Sequence, residues 1–304
     1  MNILVTGGTG FLGRALLKRL LEEKHSVVLL TRHPDAVKDL GGDSIEIEQW
    51  DGKTTDPWLH RVEGVDGVVN LAGESIGAKR WTEARKASLV GSRIDATRAI
   101  IAAISRAKKK PRVLVNASAV GYYGDVKSGD VTETYPRGSD FLPGLCDQWE
   151  KEAGRAEGLG VRVVIFRIGI VLEKDGGALQ RLMLPFKLFV GGPLGSGQQW
   201  FPWVHRDDVV DAILFALNNL NLSGAYNLAT PDPVTMREFS TALGRAMRRP
   251  SWAPVPAFVL RAMLGEMSGT VLTGQRVVPR KLQEAGFSFR YPKLDGALAA
   301  ILRR

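Results

Sequence analysis

The sequence holds one cysteine, Cys146, in 304 residues, so an intramolecular disulfide and a zinc site built from thiolates are both excluded. Its four histidines, His25, His33, His60 and His205, are too dispersed to form a ligand pair, and no metal is expected. No apolar run reaches the roughly 18–20 residues of a membrane span. The charged start and apolar stretch of a secretory signal are missing, because Met1 leads directly into the strand-like Ile3-Leu4-Val5-Thr6. These absences predict a cytoplasmic protein with no membrane partner. There is no internal repeat, and neither H-E-x-x-H nor G-x-x-x-x-G-K-[ST] occurs.

What is present suits a folded chain. The composition is 44% hydrophobic and 24% charged, which excludes disorder. Lys plus Arg number 41 against 32 Asp plus Glu, a formal net charge of +9 that admits an anionic ligand or surface.

Along the first half, short apolar runs alternate with helical stretches. Strands are predicted at Ile3 to Thr6, Ser26 to Thr31, Ile45 to Trp50, Val65 to Ala72, Arg112 to Ser118 and Val161 to Ile168. Helices are predicted at Phe11 to Glu23, Trp81 to Ala107 and Phe141 to Glu157. Strands apolar on both faces and separated by helices define a parallel sheet covered on both sides, a doubly wound α/β domain of Rossmann type. It is placed at 1–170, with 200–230 returning to it. Beyond residue 170 the alternation stops, and 171–304 is expected to form a smaller α/β substrate lobe. Its predicted elements include helices at Arg206 to Asn218 and Thr235 to Met247, flanking a strand at Ala225 to Leu228.

Between the first strand and the first helix lies Thr6-Gly7-Gly8-Thr9-Gly10-Phe11-Leu12-Gly13. The spacing alone is weak, but the position matches a dinucleotide site. Gly7 allows the tight turn, Gly10 lets a pyrophosphate approach the backbone, and Gly13 lets the helix pack on the strand. The helix start supplies free N–H donors and a positive dipole. A purely structural glycine turn is the competing reading. The second strand ends in Leu30-Thr31-Arg32-His33, with no carboxylate to bind a ribose 2′-hydroxyl. Arg32 is placed instead to meet a 2′-phosphate, which favours NADP; a solvated loop arginine is the alternative.

With these residues in view, the chain resembles the short-chain dehydrogenase/reductase superfamily, in its extended epimerase/dehydratase branch. The glycine turn, Asp51-Gly52, Asn70-Leu71-Ala72-Gly73, Val120-Gly121-Tyr122-Tyr123-Gly124 and Val204-His205-Arg206-Asp207-Asp208 carry that resemblance. Gly73-Glu74-Ser75-Ile76 with Arg80-Trp81, Gln199-Trp200-Phe201-Pro202-Trp203, Leu264-Gly265-Glu266-Met267 and Gly274 to Pro279 resemble an atypical, SDR39U1-like subfamily. The resemblance implies an NADP cofactor held by Gly7, Thr9, Gly10, Phe11, Leu12, Gly13, Arg32, Asp51, Leu71, Ala72, Gly73, Arg167 and Gly169. It also implies a small-molecule substrate near Glu74, Arg80, Trp81, Gln199 and Trp200.

The superfamily's chemistry uses a Ser or Thr after the fifth strand and a Tyr-x-x-x-Lys on the next helix. In this chain those places fall on Ala119, Leu142 and Cys146, none of which replaces a phenol poised by an ammonium. The remaining catalytic candidates are Ser118, Tyr122 and Tyr123, while His205 reads as a helix cap. Two functions stay open: an epimerase-like oxidoreductase, and a non-catalytic NADP-binding regulator or scaffold. Nucleic acid is not an expected partner, because Lys108-Lys109-Lys110 and Arg303-Arg304 read as a solvated helix end and tail. The long helix after Trp81 offers a surface for a homodimer.

Overall fold

The computed structural model describes residues 1–35, 37 and 44–303; Arg304, half of the basic tail, lies outside them. Seven strands form one sheet: β1 (Asn2–Thr6), β2 (Ser26–Thr31), β3 (Ile45–Gln49), β4 (Gly67–Asn70), β5 (Val113–Ala119), β6 (Arg162–Ile168) and β7 (Gly224–Leu228). Their spatial order is β3-β2-β1-β4-β5-β6-β7, and every neighbouring pair is parallel. The order reverses between β1 and β4, the switch point where open α/β sheets bind ligands at their carboxyl ends.

The alternation of side chains along each strand explains the layering. Ile3 and Val5 of β1 join one core with Val27, Leu29, Val69 and Val115, whereas Leu4 joins the opposite core with Val28, Leu30, Val68 and Leu114. The first core is closed by α1 (Phe11–Glu22), which buries Leu16, Leu17 and Leu20. The second is closed by α2 (Glu83–Arg106), through Ala96, Ile100 and Ile104, and by Ala153 from α3 (Phe141–Gly154). Thr82 caps α2 by accepting from the Arg85 N–H at 3.2 Å. The helix expected to reach Glu157 stops at Gly154, and a short 3₁₀ turn, Glu157–Leu159, follows. Gly160 leaves that turn at φ +79°, a conformation available to glycine at little cost.

A second packing unit is built on α4 (Gly177–Lys187) and α6 (Met236–Met247). Leu179, Met183 and Phe186 of α4 meet Phe239 and Leu243 of α6, with Leu298 and Ile301 from the helix Leu294–Arg303. Between α4 and α6, α5 (Arg206–Asn218) and β7 pack with the main sheet, α5 through Val209, Val210 and Ile213. Arg276–Val277 pairs in parallel with Asp130–Val131, tying the C-terminal segment to the chain leaving β5. Among the described residues no helix is long and apolar enough to cross a membrane.

Candidate functional site

At the end of β1, Gly7 adopts φ +72° and a side chain there would come within 2.5 Å of the Leu71 carbonyl. A Cβ on Gly13 would overlap the Gly7 carbonyl oxygen. The turn is therefore pressed between the start of α1 and the segment leaving β4. Beneath it, Thr6 Oγ1 donates to Asn70 Oδ1 at 2.7 Å, and Asn70 Nδ2 donates to Thr97 Oγ1 and Asn116 Oδ1 at 2.9 and 2.7 Å. Trp149 Nε1 also donates to Thr97, so a buried polar chain fixes the ends of β1, β4 and β5 to both flanking helices.

The mouth of the turn is open. Gly10 caps α1 without a side-chain hydrogen bond, no carboxylate lies in the first helical turn, and a Cβ on Gly10 would meet only Gly7 O, at 3.2 Å. Helix-start N–H groups with no local anion suit a pyrophosphate. Phe11 packs against Gly176 and Gly177 at the start of α4, and Leu12 packs against the first core. Arg32 is exposed beyond β2 and forms no ion pair among the described residues. Asp51 is exposed and closes its own loop: its carboxylate accepts from the N–H groups of Lys53 and Thr54 at 2.8 Å each, and the Thr54 contact leads in lowering its pKa.

A second cluster occupies the carboxyl ends of β5 and β6. Arg167 grips Glu150 with two bonds, Nε to Oε1 at 2.9 Å and Nη2 to Oε2 at 2.8 Å. Ser118 Oγ donates to the same carboxylate at 2.6 Å. The other Arg167 nitrogen reaches the Tyr123 hydroxyl at 2.9 Å, and Tyr123 donates to Asn227 Oδ1 at 2.6 Å. Burial opposes the Arg167 charge, but the Glu150 carboxylate outweighs it and holds the guanidinium protonated. Burial pushes the Tyr123 phenol up to about 12, and Arg167 only partly offsets this. Tyr122 differs. It is half-buried, the Arg167 guanidinium lies 3.6 Å from its ring centre, and its hydroxyl has no hydrogen-bond partner among the described residues.

Cys146, at the place of the superfamily lysine, is buried, and desolvation pushes its thiol up to about 11. It is not a nucleophile in this state. A Tyr-x-x-x-Lys spacing does occur at Tyr123 to Lys127, but off the helix, with Lys127 exposed and 2.5 Å from Asp125. Gly169 is a packing position, since a Cβ there would overlap the Pro202 carbonyl oxygen.

Among the residues expected near a substrate, the segment after Gly73 is clamped by α2. Arg85 and Ser88 bind the Glu74 carboxylate, the latter at 3.1 Å, and Arg93 Nη2 donates to the Glu74 carbonyl at 2.9 Å. Burial raises the Glu74 pKa, yet Arg85 and Ser88 bring it below its usual value. Trp81 Nε1 donates to Ile76 O at 2.9 Å and the ring packs edge-on against Phe141. Lys86 meets Glu266 at 2.6 Å, and Arg80 lies against Gly265, so two segments remote in sequence share this wall. Gln199 bonds Leu194 O and Val271 O at 2.9 and 2.8 Å, while Arg276 lies 5.4 Å from the Trp200 ring. Gln199 thus ties the segment at Leu194 to that at Val271. His205 caps α5, its Nδ1 accepting from the Asp207 N–H at 3.0 Å.

Sequence reasoning missed Arg85, Ser88, Ser92 and Arg93. Their spacing puts four polar residues on one face of a helix, a signal that was available. It also missed a G-x-S-x-G spacing at Gly73 to Gly77. That motif marks a nucleophile only on a strand-to-helix elbow, and here β4 ends at Asn70 while α2 begins at Glu83.

The parallel sheet, its switch point and the open glycine turn define a Rossmann-type dinucleotide-binding protein. The chain belongs to the NAD dependent epimerase/dehydratase family, whose model matches residues 3–169 and 176–229. Residues 255–301 match a domain of unknown function, DUF1731. The chain is 44% identical to the epimerase family protein SDR39U1 homolog, chloroplastic, of Arabidopsis thaliana, over 100% of this chain and 87% of that protein. A crystal structure of the human epimerase family protein SDR39U1 (isoform 2) with NADPH superposes with a TM-score of 0.90 at 34% identity, covering 100% of both chains. The UDP-glucuronic acid 4-epimerase of Bacillus cereus, solved with UDP-glucuronic acid and NAD, shares the fold at a TM-score of 0.81. It is 19% identical, over 100% of this chain and 98% of that one.

Proposed function

We propose that the protein is an NADP(H)-binding, epimerase-like oxidoreductase acting on a small hydroxylated or carbonyl substrate. The observation that carries this is the open glycine turn, free of acid at the start of α1, with Arg32 exposed at the tip of β2 and in no ion pair among the described residues. Amides at the start of α1 hold the pyrophosphate, and Arg32 takes the 2′-phosphate. When bound, the nicotinamide supplies or accepts a hydride. The Tyr122 hydroxyl gives the proton to the substrate oxygen in reduction and takes it back in oxidation. The Arg167 guanidinium, 3.6 Å from its ring centre, holds that ring in place. Ser118 and Tyr123, already bonded to Glu150 and Asn227, position Arg167 and so act on Tyr122 indirectly. The Glu74 to Trp81 segment and Trp200 wall the substrate. The protein works in the cytoplasm, and two copies pair through α2.

A second reading is favoured by the apolar trio at the usual catalytic places: a non-catalytic NADP-binding regulator. NADPH oxidation across a panel of carbonyl compounds separates the two. Turnover that Tyr122→Phe lowers by roughly 10²- to 10⁴-fold supports the enzyme. Tight NADPH binding with no turnover of any member leaves the regulator.

A further inference from the structure

The net charge of +9 exceeds what one dinucleotide engages, and part of it borders an exposed apolar face on the second packing unit. Helix α4 buries Leu179, Met183 and Phe186 on one side, yet Leu184 on its other side and Leu188, which ends it, are 59% and 65% exposed. An amphipathic surface helix would carry polar residues there. The chain then turns at Phe189, which takes φ +64°, a left-handed conformation disfavoured for an aromatic residue. The turn leaves Phe189 54% and Val190 47% exposed. Strain that holds an apolar ring in water indicates a use for the ring there.

The neighbouring segment adds to the same face. Trp252 is 67% exposed, and its indole N–H donates to the Phe189 carbonyl at 3.0 Å. Its backbone N–H is bonded to Gly191 O at 3.0 Å, and Ser251 bridges to Gly191. The indole is thus fixed with its polar atom already satisfied, so the ring can enter an apolar phase without leaving a donor unpaired.

The two segments that carry these side chains bear charge of one sign. Lys187, Arg248 and Arg249 are exposed and form no ion pair among the described residues, and the Arg249 guanidinium lies 4.4 Å from the Phe189 ring. No Asp or Glu occurs in residues 176–206 or 239–265. A second copy presenting the same cationic face would be repelled. Interfacial aromatic and aliphatic side chains fringed by Lys and Arg match the surface of an anionic bilayer, whose headgroups attract the cations while the rings enter the acyl boundary.

We infer that this face, formed by Leu184, Leu188, Phe189, Val190 and Trp252 with their flanking cations, seats the protein reversibly on an anionic phospholipid surface. The inference is independent of the proposed activity. It also revises the expectation of no membrane partner, which rested on the lack of a spanning segment. A face assembled from two remote segments leaves no long apolar run in the sequence.

The test is co-sedimentation of the full chain with vesicles of phosphatidylcholine alone and of phosphatidylcholine mixed with phosphatidylglycerol. Binding is expected to the mixed vesicles and to fall with added salt. Replacing Lys187, Arg248 and Arg249 by Gln is expected to weaken it about a hundredfold, at a factor of about five per cation. Phe189→Ser with Trp252→Ser is expected to abolish it, and brominated lipid should quench wild-type tryptophan fluorescence but not that of this variant. Unchanged NADPH affinity in both variants verifies their folds. Three results overturn the inference: no binding to either vesicle, equal binding to both, or self-association in solution that the serine pair abolishes.

Discussion

Replacing Glu150 by Gln tests whether the Arg167 network holds the carboxyl ends of β5 and β6 together. The substitution keeps the side-chain volume and removes one charge. Arg167 is 5% exposed, and its other acceptors are the neutral Tyr123 hydroxyl at 2.9 Å and Glu133 carbonyl at 3.2 Å. A buried guanidinium left without its carboxylate costs about 3–5 kcal/mol, a large share of a typical total stability of about 5–15 kcal/mol. Arg167→Met strands the carboxylate instead and is expected to cost a similar amount. The double variant, Glu150→Gln with Arg167→Met, removes both charges and is expected to cost less than either single change. The assay is urea unfolding followed by circular dichroism on the four proteins of that cycle. A loss below about 1 kcal/mol in Glu150→Gln, or additive single effects, would refute the reasoning.

Two further outcomes follow from the geometry. Gly13→Ala places a methyl on the Gly7 carbonyl oxygen, so it is expected to remove detectable NADPH binding in calorimetry while circular dichroism remains helical; wild-type affinity would contradict the assigned turn. Asp208 is fully buried, accepting from the backbone N–H groups of Arg290 and Tyr291, and burial raises its pKa from 3.8 to about 6. The folded state keeps this proton to higher pH than the unfolded chain. The resulting stabilisation is complete below about pH 4 and is lost as pH rises through about 6. The stability of wild type relative to Asp208→Asn should therefore fall by up to about 3 kcal/mol from pH 4 to 7. A difference constant over that range rejects it.

How much could be read from the sequence depended on how local the cause was. Ser26–Thr31 and the glycine turn were legible because strand apolarity, turn glycines and helix start lie within a few residues of one another. The cap at His205 was legible for the same reason, with Asp207 two residues away. Tyr122 and Tyr123 could not be told apart in sequence. The 3₁₀ turn Val120–Tyr123 sends one ring inward to Asn227, more than a hundred residues on, and leaves the other half-buried at the edge. Glu150 has no role that its own neighbourhood in the sequence could reveal, because Ser118 and Arg167 reach it from separate strands. The clamp on Glu74 was hidden for a related reason. Polar residues on α2 look solvated until the segment leaving β4 is seen lying across them.

The central claim is that the glycine turn and Arg32 form a site for a 2′-phosphorylated dinucleotide, and paired dissociation constants for NADPH and NADH test it directly. Measured on wild type and Arg32→Ala, NADPH should bind more tightly than NADH to the wild type. The variant should lose about 1.5–3 kcal/mol toward NADPH, roughly 10- to 150-fold, and little toward NADH. Tighter binding of NADH to the wild type, or an unchanged preference in Arg32→Ala, would contradict the account.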